Sequence, residues 1–563
     1  MMDREPSVHV VIPMSGIGNR FLHAGYTLPK PLIVVDDKPM MAHVVALFPR
    51  DVRFTFVCNQ DHLDTTDMRY VLEKIAPSAT VFGIAPHKKG PVHAVLQIAH
   101  LIQDDEEVIV NYCDFSKKWD YNAFLSETRA RHAAGAMTVY RGFHPHMLGK
   151  TQYAFCREKD MWLLEIREKQ PFTYNRWDEY ASDGTYYFRR GRDLKRYSEQ
   201  LIDRDIQVNG EYYMSMVYNL LLEANLGVSL HEIPHMLQWG TPEDLWEYQR
   251  WSRLFARLVT PEAGAILPNG LTVMPMAGEG ERFRREGFLQ TKPFVPVSGK
   301  PMVLQALETL PKTQDVRLVL RQALVAETAG DPLLASFLDN AIVLDGMTEG
   351  QALTVLSALR PEDGERPLLV GACDTGILFD TERWNDLVTD PSVDAVSFSL
   401  RGYAPALEKP EMYGWLAADD TGTVTKVSVK SLVSEIPEKD HVITGVFYFR
   451  SVRLFLEAIA NLQLQNKRVN GEFYVDSLVS VLCDAGSVVR VLEVEASLCW
   501  GTPDEWRTFG YWQRYFDACP EHPYSLDLDA MVPNSAVVGL RQNRAYLAVP
   551  CPHRGIPNPV SEE

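Results

Sequence analysis

Short runs of apolar, mostly β-branched residues recur along this chain, each ended by a turn and followed by a stretch of helical period. In the first half they lie at residues 8–12, 54–57, 107–110 and 137–140, and in the second at 271–274, 317–320, 367–370 and 395–398. The runs are continuous rather than alternating, which predicts strands covered on both faces, and patterns such as residues 92–99 predict the covering helices. Strands and helices in alternation predict an α/β fold with a mainly parallel sheet flanked by helices, in which a ligand sits at the carboxyl ends of the strands.

The same pattern occurs twice. Met14-Ser15-Gly16-Ile17-Gly18-Asn19-Arg20-Phe21 returns as Met276-Ala277-Gly278-Glu279-Gly280-Glu281-Arg282-Phe283. Leu28-Pro29-Lys30-Pro31 returns as Gln290-Thr291-Lys292-Pro293, Cys113-Asp114 as Cys373-Asp374, Asn209-Gly210-Glu211 as Asn470-Gly471-Glu472, and Trp239-Gly240-Thr241-Pro242 as Trp500-Gly501-Thr502-Pro503. A shift that steady implies two tandem Rossmann-like domains, copy one over residues 1–260 and copy two over 261–520, with an irregular, proline-rich tail over 521–563. Each copy closes on a helix whose aromatics (Trp246, Trp251 and Phe255; Trp506, Trp512 and Phe516) are expected to be packing residues.

Composition narrows the function. With 46% hydrophobic and 23% charged residues the chain reads as globular, and a formal charge of −18 argues against nucleic acid and anionic membranes as partners. No apolar stretch reaches the length of a membrane span and the start carries no targeting pattern, so a cytosolic location is expected. The eight cysteines form no Cys-x-x-Cys pair, so neither a disulfide framework nor a zinc site is expected.

Candidate chemistry gathers at the strand ends. Glycines of a Gly-x-Gly-x-Arg loop let backbone N–H groups approach an anion, and an arginine beyond them supplies forked donors for phosphate oxygens. Pro29 and Pro31 stiffen the chain around Lys30, and Asp114 at the end of an apolar run offers the hard oxygen Mg²⁺ prefers. No Ser-His-Asp arrangement or acid/base carboxylate pair is found. His144 and His146 lack a third ligand and read as a loop, not a metal pair. The turn Asp183-Gly184-Thr185, matched with Ile443-Thr444-Gly445, reads equally as a turn into a strand or as a substrate-side loop.

Together with Glu168-Lys169 and the closing Gly240-Thr241-Pro242-Glu243-Asp244, this order of motifs resembles the nucleotidyltransferase family that activates sugar phosphates, over roughly residues 8–258 and 271–517. The resemblance implies a GT-A-like, Rossmann-related fold and transfer of a nucleoside monophosphate from an NTP to a phosphorylated small-molecule acceptor, with Mg²⁺ as cofactor. It implies Gly16, Gly18 and Arg20 as the triphosphate cradle, Lys30 as a phosphate clamp, Gly90 beside the base, Asp114 on the metal, Lys169 on the acceptor phosphate and Glu211 on the acceptor's hydroxyl or amine groups. In copy two it implies Gly278, Gly280, Arg282, Lys292, Gly350, Asp374, Lys430 and Glu472. The opening motif with Gly25-Tyr26 is similar to enzymes encoded with bacterial capsule and surface-polysaccharide pathways, some of which use CTP. The chain departs from the family where Gln238 and Cys499 replace a second metal-binding aspartate, where Val429 replaces Glu168, where Thr291 replaces Pro29, and where Thr348-Glu349 replaces Lys88-Lys89. Two alternatives stay open: a GT-A glycosyltransferase using a nucleotide sugar, and a second copy that only binds nucleotide as a regulatory module.

Overall fold

A computed structural model of the chain describes residues 8–149, 152–260, 264–328, 333–334 and 341–547. The first residues, the start of the segment joining the copies (261–263) and the tail beyond 547 lie outside these. The chain divides into two compact units, Met1–Arg253 with Leu547–Glu563, and Leu254–Tyr546.

The first unit is built on a nine-stranded sheet. From edge to edge its order is Thr80–Ile84, Arg53–Asn59, His9–Met14, Val108–Asn111, Tyr180–Phe188, Gly135–Tyr140, Val228–Glu232, Trp162–Glu168 and Ala154–Lys159. Alternate residues of the buried strand His9–Met14 feed opposite faces: Val10 and Ile12 join a cluster with Phe56 and Phe124, while Val11 joins one with Val110 and Tyr218. A strand clothed on both sides has no polar face to show, hence the continuous apolar runs.

The sheet is mixed, where the sequence predicts a mainly parallel one. The four strands from Thr80–Ile84 to Val108–Asn111 are parallel, as are Gly135–Tyr140 and Val228–Glu232. Tyr180–Phe188 runs antiparallel to both its neighbours. The cause is the connection that leads to it. A hairpin of Ala154–Lys159 and Trp162–Glu168 stands where a crossover helix would, so the chain re-enters the sheet from the end it left. A two-stranded ribbon, Phe115–Lys118 against His235–Gln238, grows directly from Asp114 and ends at Trp239, whose N–H donates to the Asp114 carbonyl at 2.9 Å.

The second unit repeats the order: Ile342–Leu344, Lys312–Arg321, Ile266–Pro275, Leu368–Val370, His441–Phe449, Ala395–Leu400 and Val489–Glu493, with the hairpin Gly414–Ala418 and Val424–Val429 joined to His441–Phe449. Its ribbon is Thr375–Leu378 with Ala496–Cys499, and its core centres on Val273, Phe447, Phe455 and Leu478. Register corrects one sequence match. Phe188 pairs Val108 and Gly135, and Phe449 pairs Leu368 and Ala395, so Gly445 answers Gly184 and Thr444, not Ile443, answers Asp183. Both glycines have positive φ, +104° and +84°, and sit where the strand register shifts, which makes them a bulge within the strand.

Two further expectations change. Residues 521–546 belong to the second unit and carry structure: Tyr524 and Leu526 are buried, the Tyr524 hydroxyl donates to Asp529 at 2.8 Å, and a helix runs over Val537–Gln542. Trp246 is not a packing residue. It is 48% exposed and donates to the Tyr26 hydroxyl at 2.8 Å, bracing the loop before Pro29, whereas Trp251, Phe255, Trp512 and Phe516 are buried.

Candidate nucleotide and acceptor site

The loop leaving His9–Met14 turns at Gly18, which has φ +74° and caps the short helix Asn19–His23. No neighbour fills the space a Cβ would take at Gly16, so the backbone there is open to a ligand. Pro29 and Pro31 flank Lys30 at the start of a 3₁₀ turn, Lys30–Leu32, that delivers Lys30 inward. Its ammonium donates to Asp114 Oδ2 at 2.6 Å and to the Gly240 carbonyl at 3.1 Å. Gly18, Lys30, Asp114 and Gly240, remote in sequence, thus meet at the end of the central strands. In the second unit Lys292 and Asp374 form the same pair, and Lys292–Phe294 the same turn, so Thr291 in place of Pro29 leaves the geometry intact.

The second half of the site is a chain of hydrogen bonds. Lys169 is held in the left-handed region at φ +59° by its N–H on the Tyr153 carbonyl. Its ammonium donates to the Tyr213 hydroxyl at 2.7 Å and lies 4.6 Å from that ring's centre, and the Tyr213 hydroxyl in turn donates to Glu211. Burial, with Glu211 as acceptor, pushes the Tyr213 hydroxyl far above the usual phenol range, while the Arg20 guanidinium pulls the other way, which places Arg20 on the same side. Gly90, at φ +84°, packs so closely on Tyr212 that a Cβ would meet its backbone at 2.7 Å, and this closeness ties the Gly90 loop to Glu211. Tyr112, two residues before Asp114, accepts the Met214 N–H and feels the charges of Glu168 and Tyr213, linking the two halves. Glu168 accepts from Ser215 at 2.6 Å. Burial raises its carboxyl to about 7, against the lowering pull of Ser215 and Lys169.

Copy two places Lys430 (φ +58°) and Glu472 about Tyr474 in the same way, with the Lys430 ammonium 5.3 Å from the ring. Gly350 packs on Phe473 as Gly90 does on Tyr212. Gly278 is open like Gly16, Gly280 takes φ +62°, and the Arg282 charge reaches Lys292.

Does Mg²⁺ fit Asp114? The Cα of Gly240 lies between two oxygen-bearing side chains, since a Cβ there would stand 3.6 Å from Asp114 Oδ2 and 3.1 Å from the Gln238 amide nitrogen. That amide donates to Asp244 at 2.7 Å, and among the described residues Gln238 Oε1 is buried with no donor upon it. The Asp114 carboxylate is a hard donor of the kind Mg²⁺ takes, whereas the Gln238 atom turned toward Gly240 is the amide nitrogen, so at Gly240 the carboxylate supplies the hard oxygen. In copy two, where Cys499 answers Gln238, the Glu505 carboxylate comes close to Asp374 instead.

Sequence reasoning missed Tyr213, although Tyr213 and Tyr474 both stand two residues after the repeated glutamate. It also missed Lys117. This lysine lies wholly inside the first unit, donating to Thr138 at 2.8 Å, Asp183 at 2.9 Å and Thr185 at 2.6 Å, with Trp119 at 3.7 Å beneath it. Asp183 and Thr185 are therefore interior props beneath the ribbon. His144 is buried and His146 half-buried against Tyr140, whose hydroxyl meets His146 Nε2 at 3.0 Å, and desolvation drives both imidazoles below their usual range.

A glycine loop, a lysine on a strand-end aspartate and a second lysine across a tyrosine thus stand together in one α/β domain. Residues 9–209 match the nucleotidyl transferase family model. The bifunctional protein GlmU of Pediococcus pentosaceus is 27% identical over 225 residues, 40% of this chain and 46% of that protein, and GlmU of Listeria innocua is 25% identical over 225 residues, 40% and 47% respectively. The chain spans about half the length of the curated relatives it matches. Among solved structures, a nucleoside-diphosphate-sugar pyrophosphorylase of Vibrio cholerae aligns at 20% identity and TM-score 0.36, covering 43% of this chain and 99% of that one. A UDP-glucose pyrophosphorylase complexed with UDP-glucose aligns at 17% and 0.35, covering 43% and 96%. Among the described residues no helix is long and apolar enough to cross a membrane.

Proposed function

We propose that the first copy transfers a nucleoside monophosphate from an NTP to a sugar phosphate or related phosphorylated small molecule, releasing pyrophosphate. The observation that carries this reading is the Lys30–Asp114 pair beneath the glycine loop, with Lys169 aligned separately on Tyr213. A phosphate monoester is largely dianionic at neutral pH and attacks the α-phosphorus without a base, so the chain's task is to align two anions and offset their repulsion. The glycine loop offers open backbone to the triphosphate while Arg20 and Lys30 supply positive charge beside it. Lys169 grips the acceptor phosphate, and Glu211 and Glu168 accept from the acceptor's hydroxyl or amine groups. Asp114 would hold Mg²⁺, and the ion when bound neutralises charge on the reacting phosphates. Within this reading CTP is the finer choice of donor and surface-polysaccharide precursors the destination, supported by the opening motif with Gly25-Tyr26, and the enzyme works in the cytosol.

The test is pyrophosphate release from each of the four NTPs with Mg²⁺ and a set of sugar phosphates. Acceptor-dependent release is expected. Release of a free sugar or a nucleoside diphosphate from a nucleotide sugar, with none from an NTP, would replace this reading by glycosyl transfer.

A further inference from the structure

Glu168 is not simply lost from copy two. By the register of the hairpins, Ala154 and Glu168 answer Gly414 and Val429, and by the shift that carries Glu211 to Glu472, Ser215 answers Asp476. In copy one the strand supplies the carboxylate and the helix Met214–Glu223 supplies the hydroxyl that meets it. Copy two inverts this: the strand is apolar at Val429, and the carboxylate comes from the helix Val475–Asp484. Gly414 makes the exchange possible, because a Cβ there would overlap Asp476 Oδ2. Three positions on three elements have changed together, and what survives is a carboxyl group facing the lysine of the acceptor pocket, Lys430 in place of Lys169.

A first-turn aspartate can serve merely to complement a helix dipole. Here the side chain is instead laid on the hairpin strand at Gly414, where a Cβ would overlap its Oδ2, and burial raises its carboxyl to about 6. Asp476 is half-buried, its hydrogen bond is to backbone, and among the described residues no other side chain hydrogen-bonds to it, so the carboxylate keeps acceptor capacity for an incoming donor. The phosphate-facing groups are retained around it: Lys430 beside Tyr474, the Lys292–Asp374 pair, and the open backbone at Gly278.

We propose that copy two has its own acceptor pocket for a phosphorylated, polyhydroxylated small molecule, with Lys430 on the phosphate and Asp476 accepting from a hydroxyl or amine in place of Glu168. The proposal rests on the nucleotidyl-transfer reading of the fold, yet it concerns a separate pocket. Titration calorimetry of the full chain with glucose 1-phosphate and with glucosamine 1-phosphate tests it. Two sites per chain are expected, one removed by Lys169→Ala and the other by Lys430→Ala. Asp476→Asn should weaken the second at least tenfold and leave the first within twofold. Gly414→Ala should do the same by crowding Asp476. The double change Val429→Glu with Asp476→Ser, which returns the carboxylate to the strand and the hydroxyl to the helix, should recover binding that Asp476→Ser alone loses. A single site abolished by Lys169→Ala, or two sites indifferent to Asp476→Asn, would overturn the proposal and leave the first copy's reading standing. A single site abolished by Lys430→Ala would do the reverse, and absence of both sites would end both.

Discussion

At the scale of the residue, the proposed acceptor side of copy one contains a carboxyl whose charge is conditional. Burial raises Glu168 to about 7, so its ionised form, the one able to accept two hydrogen bonds, is lost as pH falls through that value and is present above it. The KM for the acceptor phosphate should therefore rise as pH is lowered from about 8 to about 6, approaching tenfold per pH unit once below the midpoint. Glu168→Gln should flatten this dependence while leaving the KM for NTP unchanged. Steady-state kinetics at fixed ionic strength will decide, and an unaltered pH profile in the variant would remove Glu168 from the acceptor. On the donor side the corresponding test is Gln238→Leu. If its unengaged Oε1 helps hold Mg²⁺, the variant needs at least threefold more Mg²⁺ for half-maximal rate, with kcat at saturating metal little changed. Asp114→Ala has no such remedy and should abolish turnover at any Mg²⁺ concentration.

At the scale of the element, the ribbon Phe115–Lys118 shows that one structural need can be met in two ways. In copy one it is bound to the sheet through Lys117, Thr138, Asp183 and Thr185, all buried. In copy two the answering residues are Ile377, Phe398, Thr444 and Val446, and the ribbon forms regardless. Burial lowers the Lys117 ammonium to about 8 even with Asp183 beside it, so the ion pair costs more in lost hydration than an apolar substitute would. Removing one partner is a different matter. Lys117→Met strands the Asp183 carboxylate and should cost about 3–5 kcal/mol, roughly 10 °C in melting temperature. The pair Lys117→Ile with Asp183→Thr should recover more than half of that loss. If the double variant melts no higher than the single one, the copies are not interchangeable at this layer.

Elements were more legible in sequence than their directions or their partners. Continuous apolar runs gave the central strands because burial on both faces leaves nothing polar to alternate. The reversal of Tyr180–Phe188 was hidden, since direction is set by what the chain does between residues 141 and 179, and a hairpin there has no more apolar content than a loop. Lys30, Asp114, Lys169 and Glu211 were legible because each recurs in a fixed motif. Tyr213 was legible in principle from the same recurrence. Asp476 was not: it has no counterpart carboxylate at its own position, and only the space left at Gly414 ties it to the hairpin that carries Glu168 in copy one.

For the whole molecule, the repeated order of strands implies that each unit carries what it needs to fold. The second unit has its own sheet, its own buried cluster and its own ribbon, and residues 521–546 fold back within it through Tyr524 and Asp529. A fragment spanning residues 254–546 should therefore be soluble and melt in one cooperative transition. Ending it at residue 520 should lower that transition, because Gln513 would lose the Tyr524 hydroxyl it meets at 2.9 Å and the buried Ser298–Gln513 contact would be opened to water. Calorimetry of the two fragments separates the possibilities. A broad, non-cooperative melt for residues 254–546 would mean that the duplicated halves, alike as their sheets are, do not fold independently. Equal melting temperatures for the two fragments would mean that the last stretch rides on a finished domain instead of completing it.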